Sequence, residues 1–108
     1  MVHAGRFRET VTIRRRTVTA DAYGDAVPTW SDLASRRAEV TPLSGRELWQ
    51  TQQAQSDVTV RVRMRYESAL AITPQDRLTW RGRTLEVASA VDVEGAGRLL
   101  ELLCVEVS

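Results

Sequence analysis

Residues 58–66, Val-Thr-Val-Arg-Val-Arg-Met-Arg-Tyr, alternate apolar and polar side chains without a break. A period of two is the mark of a strand, with Val58, Val60, Val62 and Met64 on one side and Arg61, Arg63 and Arg65 on the other. Tyr66 falls on the apolar side by the same count. Alternate residues are separated by about 6.6 Å along a strand, so the three guanidinium groups form a positive line of about 13 Å. Such a line can meet phosphates, acidic side chains or solvent. Cross-strand partners from Glu39, Glu86, Asp92 or Glu101 would each contribute about 0.2 to 1 kcal/mol.

Upstream the character changes. Pro42 ends what precedes it, because a proline biases its predecessor, Thr41, away from helical geometry. Ser44-Gly45-Arg46-Glu47 then matches the S-x-x-E capping box, in which hydroxyl and carboxylate each satisfy a free amide at a helix start. The pattern predicts a short helix from Gly45 to about Gln55. Its only apolar residues are Leu48, Trp49 and Ala54, too few for the broad stripe that fixes a helix to its own core. At about 11 residues it is also marginal in isolation. Either the segment 44–56 is ordered by a partner surface, with Trp49 as an anchor, or Leu48 and Trp49 tuck over a sheet edge.

The remaining segments read as further strands. Glu9 to Thr19 is rich in β-branched residues, with Val11 and Ile13 on one face and Thr10, Thr12 and Arg14 on the other. Asp21, Gly24 and Asp25 predict a loose hairpin tip, followed by a short second strand around Val27 to Trp30, which Pro28 places at an edge. A third strand is expected over 36–43. After an irregular connection at 67–76 come Arg77 to Trp80, a tight turn at Arg81-Gly82-Arg83, and Thr84 to Val93, with Leu85, Val87, Val91 and Val93 on one face. Glu94 to Gly97 turn again. The run Leu-Leu-Glu-Leu-Leu-Cys-Val-Glu-Val from Leu99 predicts a last strand buried on both faces. The tip Asp21 to Ala26 and the loop Ser68 to Gln75 have no compelling core pattern and are expected to await partners. Hairpin-linked strands at this spacing predict a mainly β fold, a small antiparallel barrel or sandwich with one short helix or extended insertion.

The chain of 108 residues suits one domain spanning 1–108. Its 43% hydrophobic and 27% charged residues are globular in balance, and no apolar run approaches the length of a membrane span. No signal-peptide pattern opens the chain, so the expected location is the cytoplasm. A net charge of +1 excludes a strong global field toward nucleic acid or anionic membrane, which leaves only local electrostatics. All fifteen basic residues are Arg, a feature that GC-rich codon usage explains and that also suits bidentate contacts.

Nothing in the pattern supports catalysis. His3 is the only histidine, which rules out a His-based triad or a His-rich metal site. Cys104 is the only cysteine and reads as a small buried hydrophobe. Glycines fall singly at turns, without a phosphate-binding motif. Aromatics make up 6% and none alternates with the arginines of 58–66, as a single-strand-binding platform would need. No catalytic, metal or cofactor residue is assigned.

The order of the motifs adds to this. Residues 4–16 (AGRFRETVTIRRR), the hairpin 21–33, then 38–66 (AEVTPLSGRELWQTQQAQSDVTVRVRMRY), then 76–95 and 99–106, resemble the phage head-tail adaptor, or head closure, family across nearly the whole chain. The most specific part is Ala38 to Tyr66. The resemblance implies a small β-barrel that forms a homo-oligomeric ring in the virion neck of a phage, prophage or phage-like particle, made in the host cytoplasm. Such a ring joins the portal, or a portal-side adaptor, to a tail terminator or other tail-side protein. It helps close or gate the channel through which packaged DNA passes, with no enzyme activity and no membrane contact. On that reading Ser44, Arg46, Glu47, Leu48, Trp49, Gln50, Gln52 and Gln53 are the candidate subunit or ring interface. Arg61, Arg63 and Arg65 then face a neighbouring subunit or the DNA channel, or stay paired or solvated on the surface. A tail terminator ring and a small nucleic-acid-binding barrel are the alternatives.

Overall fold

A computed structural model describes residues 6–55 and 57–107. His3 and the last position of the 44–56 segment lie outside the described residues. Six strands, β1 (Glu9–Ala20), β2 (Ala26–Pro42), β3 (Val60–Arg65), β4 (Arg77–Trp80), β5 (Arg83–Asp92) and β6 (Leu99–Val107), close into a barrel in the order β1-β2-β3-β6-β5-β4. Every neighbouring pair is antiparallel. One helix, α1 (Gly45–Ala54), is inserted between β2 and β3.

The alternation of each strand fills the interior. Val60, Val62 and Met64 of β3 meet Val11 and Ile13 of β1, Leu78 and Trp80 of β4, Leu85 and Val87 of β5, and Leu100, Leu102 and Cys104 of β6 in one buried cluster. Burying each large aliphatic side chain stabilises the fold by about 1.5 to 3 kcal/mol relative to leaving it exposed. The tight turn at Arg81-Gly82 has positive φ at both residues, 51° and 76°, between the paired Trp80 and Arg83. That is a type I′ turn, whose twist matches the strands it joins.

Five expectations need correction. The second and third strands are one, the 17-residue β2. A bulge opposite Ile13 and Arg14 leaves Leu33 without a partner, so the alternation slips there and reads as a break. A second bulge, between Val87 and Ser89 of β5, turns Ala90 toward the core and leaves Val91 52% exposed. In β6 only Leu100, Leu102 and Cys104 are buried, while Leu99, Leu103 and Val105 are half-buried, so the continuous apolar run is not covered equally on both faces. The loop after β3 is no loose segment, because Leu70 and Ile72 join the core. Tyr66 lies at the surface, just past the end of β3.

Register places the remaining parts. β1 pairs with β4 only as far as Arg14, and β2 pairs with β3 only from Ala38 onward. Beyond those points β1 and β2 pair with each other alone and leave the barrel as a two-stranded arm. Both outer edges of the arm are open there, as Pro28 requires. Following the antiparallel pairs around the barrel puts the arm, the 66–76 loop and the 93–98 turn at one end. Pro42, α1 and the Arg81-Gly82 turn lie at the other. The molecule measures 50 × 29 × 27 Å, and the arm accounts for its length.

Candidate functional site

The predicted helix is present, but its cap is built differently. Ser44 is extended as an N-cap residue should be, yet its hydroxyl caps nothing. Gly45 follows at φ +57°, a left-handed conformation that turns the chain before the helix proper and takes the Ser44 side chain away from the first-turn amides. Glu47, freed from the reciprocal bond of the capping box, pairs with Arg61 on β3. The amide of Leu48 reaches the Ser44 carbonyl at 3.3 Å, and the Gln52 amide nitrogen donates to the Val58 carbonyl at 3.2 Å, which ties the helix to the entry of β3.

No residue of α1 is buried. Leu48 is half-buried, Trp49 is 63% exposed, and Ser44, Arg46, Gln50 and Gln53 are exposed. Leu48 therefore touches the domain, while Trp49 does not tuck over it.

The three arginines of β3 have three different surroundings. Arg61 lies between Glu47 and Glu101, with its Nε 3.8 Å from the Glu101 carboxylate. Arg63 faces Glu39 across β2 in register but gives its Nε and Nη2 to Glu101, each at 3.0 Å. Arg65 is exposed and makes no ion pair with a described residue. Of the four acids expected to balance the row, Glu101 does so. Glu86 instead pairs with Arg77, and Asp92 accepts from the Gly97 amide. The structure thus joins the helix and the first part of the arginine row into one surface through Glu47 and Arg61. The side chains of these pairs are 19 to 49% exposed, so the pairs are partly buried, and they fix the geometry of the helix against β3 and β6.

A second constellation was missed in the sequence. At the base of the arm, Arg15 continues the inward-facing row of Val11 and Ile13 and reaches the mouth of the barrel. Its Nε and Nη2 donate to the two oxygens of Asp76 at 3.1 and 3.0 Å, and Nη2 also donates to the Leu70 carbonyl at 2.6 Å. Asp76 is 3% exposed and also accepts from the Thr73 amide at 3.0 Å. The hydrogen bond to Asp76 is the main cause of a raised Arg15 pKa; burial opposes it and the charge of Asp76 adds to it. On the outer face Arg77 stacks on Trp30, 4.4 Å from the ring centroid, and Arg14 lies 2.9 Å from Asp32. The partners of the Arg15 clamp are 61 residues apart, and the turn residues Thr73, Pro74 and Asp76 are the only local signal for it.

The arm itself carries no buried residue from Arg16 to Leu33. Its tip is closed by Asp21, whose Oδ1 accepts from the amides of Tyr23 and Asp25 at 2.8 and 2.9 Å. Tyr23 is 91% exposed and Val18 60%. Cys104 is buried, and desolvation pushes its thiol up to about 12, which makes it chemically quiet. Among the described residues no group of His, Cys, Asp and Glu is placed to hold a metal ion, and no helix is long and apolar enough to cross a membrane.

The chain matches the family model described as phage head completion protein over residues 2–107. It is 31% identical over 103 residues to head completion protein gp7 of Enterobacteria phage HK97, covering 93% of this chain and 92% of that one. Among solved structures, it resembles protein SF1141 from Shigella flexneri 2a with a TM-score of 0.79 at 26% identity, over 97% and 96% of the two chains. A chain of the virion of a native gene transfer agent particle shares the fold, with a TM-score of 0.66 at 22% identity over 93% and 94%. With a family match over almost its full length and a relative above 30% identity, the chain belongs to the phage head completion protein family.

Proposed function

We propose that the protein forms a homo-oligomeric ring in the neck of a phage or phage-like particle, where it joins the portal side of a DNA-filled head to the tail and helps close the DNA channel. The observation that carries this reading is the placement of two weakly self-packed appendages at opposite ends of one closed barrel. The arm presents Tyr23 and Val18 at one end, and α1 presents Trp49 at the other. A part that sits between two others needs a surface at each end, and large exposed aromatics are favoured anchors of such surfaces. The barrel has no free edge of its own, so the contacts are left to the appendages.

In this role Ser44, Arg46, Glu47, Leu48, Trp49, Gln50, Gln52 and Gln53 form one interface, with Leu48 and Trp49 at its centre and the glutamines as adaptable hydrogen-bonding groups around it. The engagement of Arg61 and Arg63 by Glu47 and Glu101 argues against a lone barrel that grips nucleic acid with this face. Particles assembled without the protein should contain heads that neither retain DNA nor join tails, and adding the protein back should restore both. Normal tail joining in its absence would refute the proposal. Electron microscopy of complete particles decides its position: density next to the portal supports the connector, and density only at the tail tube would make it a terminator.

A further inference from the structure

Arg37 and Arg65 lie one step beyond the last paired residues of β2 and β3, and neither makes an ion pair with a described residue. The last β2–β3 partners at that end of the barrel are Ala38 and Met64, and Arg37 and Arg65 occupy the next position of the same register. Both are exposed. On its other side Arg65 faces Leu99 of β6. Of the nearby acids, Glu67 pairs with Arg36 and Glu101 with Arg63, while Glu39, two positions along β2 and opposite Arg63, makes no ion pair with Arg37 or Arg65. Among the described residues, the only side-chain bond of Arg37 is to the Thr10 hydroxyl at 3.4 Å. Like charges directly opposite on neighbouring strands destabilise a sheet, so this pair is not explained by folding.

The opposite charge lies on the arm. Between Thr17 and Ser31 the only charged residues are Asp21 and Asp25, and they flank Tyr23, which is 91% exposed. Asp21 spends its Oδ1 on the turn amides, but Asp25 is exposed with its carboxylate unengaged by any described side chain. Tip and patch belong to the same end of the molecule, and no ion pair joins them within one chain. The six arm residues 15–20 extend about 20 Å at the usual strand rise, a reach comparable with the shorter extents of the whole molecule, 29 and 27 Å. Strands of a closed barrel are tilted by about 35 to 45° to its axis, so the arm leaves leaning sideways, over a copy placed alongside.

We infer that the arm tip of one copy, Asp21, Tyr23 and Asp25, docks on the Arg37 and Arg65 patch of the next copy. The inference rests on the ring reading and names the contact that closes the ring. Tip and patch are different surfaces, so the contact is head-to-tail, the kind that generates a cyclic assembly. A second copy fits the patch better than DNA does, because the acidic tip projects from the same end and would repel a polyanion lying there.

Charge reversal tests it, with sedimentation velocity and native mass spectrometry as readouts, on the protein alone and on portal-bearing heads. Asp25→Arg and Arg65→Asp are each expected to weaken self-association by about tenfold or more, in a salt-dependent way. The two changes in one chain should restore much of it. An equimolar mixture of the two single variants should also assemble, because each tip then meets a patch of opposite sign. Both sites are exposed and Arg65→Asp also removes a like charge beside Arg37, so thermal melts should not fall; if Arg65→Asp impairs folding, Arg65→Gln should show a smaller loss of assembly in the same direction. As an independent check, Tyr23→Cys combined with Arg65→Cys should give copies linked by disulfides on oxidation, with the buried Cys104 silent. Wild-type assembly that survives both reversals, with no cross-link, overturns the docking and leaves the ring standing. A wild type that stays monomeric both alone and on portal-bearing heads overturns the ring and the docking together. Arg65→Asp that abolishes binding to a short DNA duplex while leaving assembly intact assigns the patch to phosphate and overturns the docking.

Discussion

Removing the Arg15 side chain should cost this small barrel about 3 kcal/mol. Asp76 accepts three hydrogen bonds, two from Arg15 and one from the Thr73 amide, and its side chain is 2% exposed. In Arg15→Ala only the Thr73 bond remains, and a carboxylate is left at a nearly dry site. Breaking a buried pair in this way typically costs about 3 to 5 kcal/mol. Arg15 is itself 35% exposed, so water enters part of the vacated volume and lowers the cost toward the bottom of that range. The Leu70 carbonyl loses its donor as well, which adds about 1 kcal/mol at most. The reverse change, Asp76→Ala, is milder, about 1 to 2 kcal/mol, because the guanidinium keeps the Leu70 carbonyl and its access to solvent. The double variant should then be more stable than the sum of the singles by about 1.5 kcal/mol or more. Because the hydrogen bond to Asp76 raises the Arg15 pKa above its ordinary, already strongly alkaline value, the charged pair is fully present below that ordinary value and lost only as pH rises through the raised one. The penalty should therefore be flat from neutral pH to about pH 10. Urea unfolding followed by tryptophan fluorescence measures each value. A cost of Arg15→Ala below about 1 kcal/mol, or an additive cycle, would refute the reasoning.

Three further outcomes are expected. Trp49→Ala, at a residue 63% exposed, should change unfolding free energy by less than about 0.5 kcal/mol while abolishing assembly, read by thermal melts beside sedimentation. Gly82→Ala should cost about 1 kcal/mol in urea unfolding for a purely conformational reason, since φ is +76° and an added Cβ meets no atom within 4 Å. Cys104 should resist thiol reagents at pH 8 until the protein unfolds. Its thiol rises from 9.0 to about 12 on folding, so the unfolded chain ionises first, and the wild type should lose stability relative to Cys104→Ala by about 1.4 kcal/mol per pH unit between those values.

The features legible in the sequence were those with an unbroken local period. The alternation at Val58 to Tyr66 gave β3, its core face and its charged face, and the Arg81-Gly82 turn announced the β4–β5 hairpin. What escaped the reading was either out of phase or distant. The bulges at Leu33 and in β5 each shift the phase by one residue, which split β2 in two and put Val91 on the wrong face. Leu70 and Ile72 lie in irregular backbone, where no period marks a core residue. The capping box failed for a different reason: the spacing S-x-x-E was right, but Gly45 admits a left-handed turn that a residue with a side chain would resist, and Glu47 found a cation across space instead. The clamp of Arg15 on Asp76 joins residues 61 apart and has no local signature.

The arginine row shows why a charge pattern alone does not name a partner. Arg61, Arg63 and Arg65 are equivalent in sequence, yet their surroundings differ: the first has the helix and Glu101, the second Glu101, and the third only Leu99 as a paired neighbour, one step past the end of the β2–β3 ladder. The acids are thus spent at the α1 end of the row and absent at the arm end. The same division runs through the packing. The buried hydrophobic residues lie in the barrel strands or in the segments that close its ends, and neither α1 nor the arm beyond Arg15 contributes one. Ordering a residue costs about 1 to 2 kcal/mol in backbone entropy, and a two-stranded ribbon alone is marginal in water. The barrel can hold these appendages at their bases, through Arg15, Trp30 and Gln52, but offers their outer parts little to bury. On the proposed ring reading, neighbouring proteins would give the arm tip and Trp49 a surface to bury, so the residues least useful to the fold are the ones to which the assembly should be most sensitive.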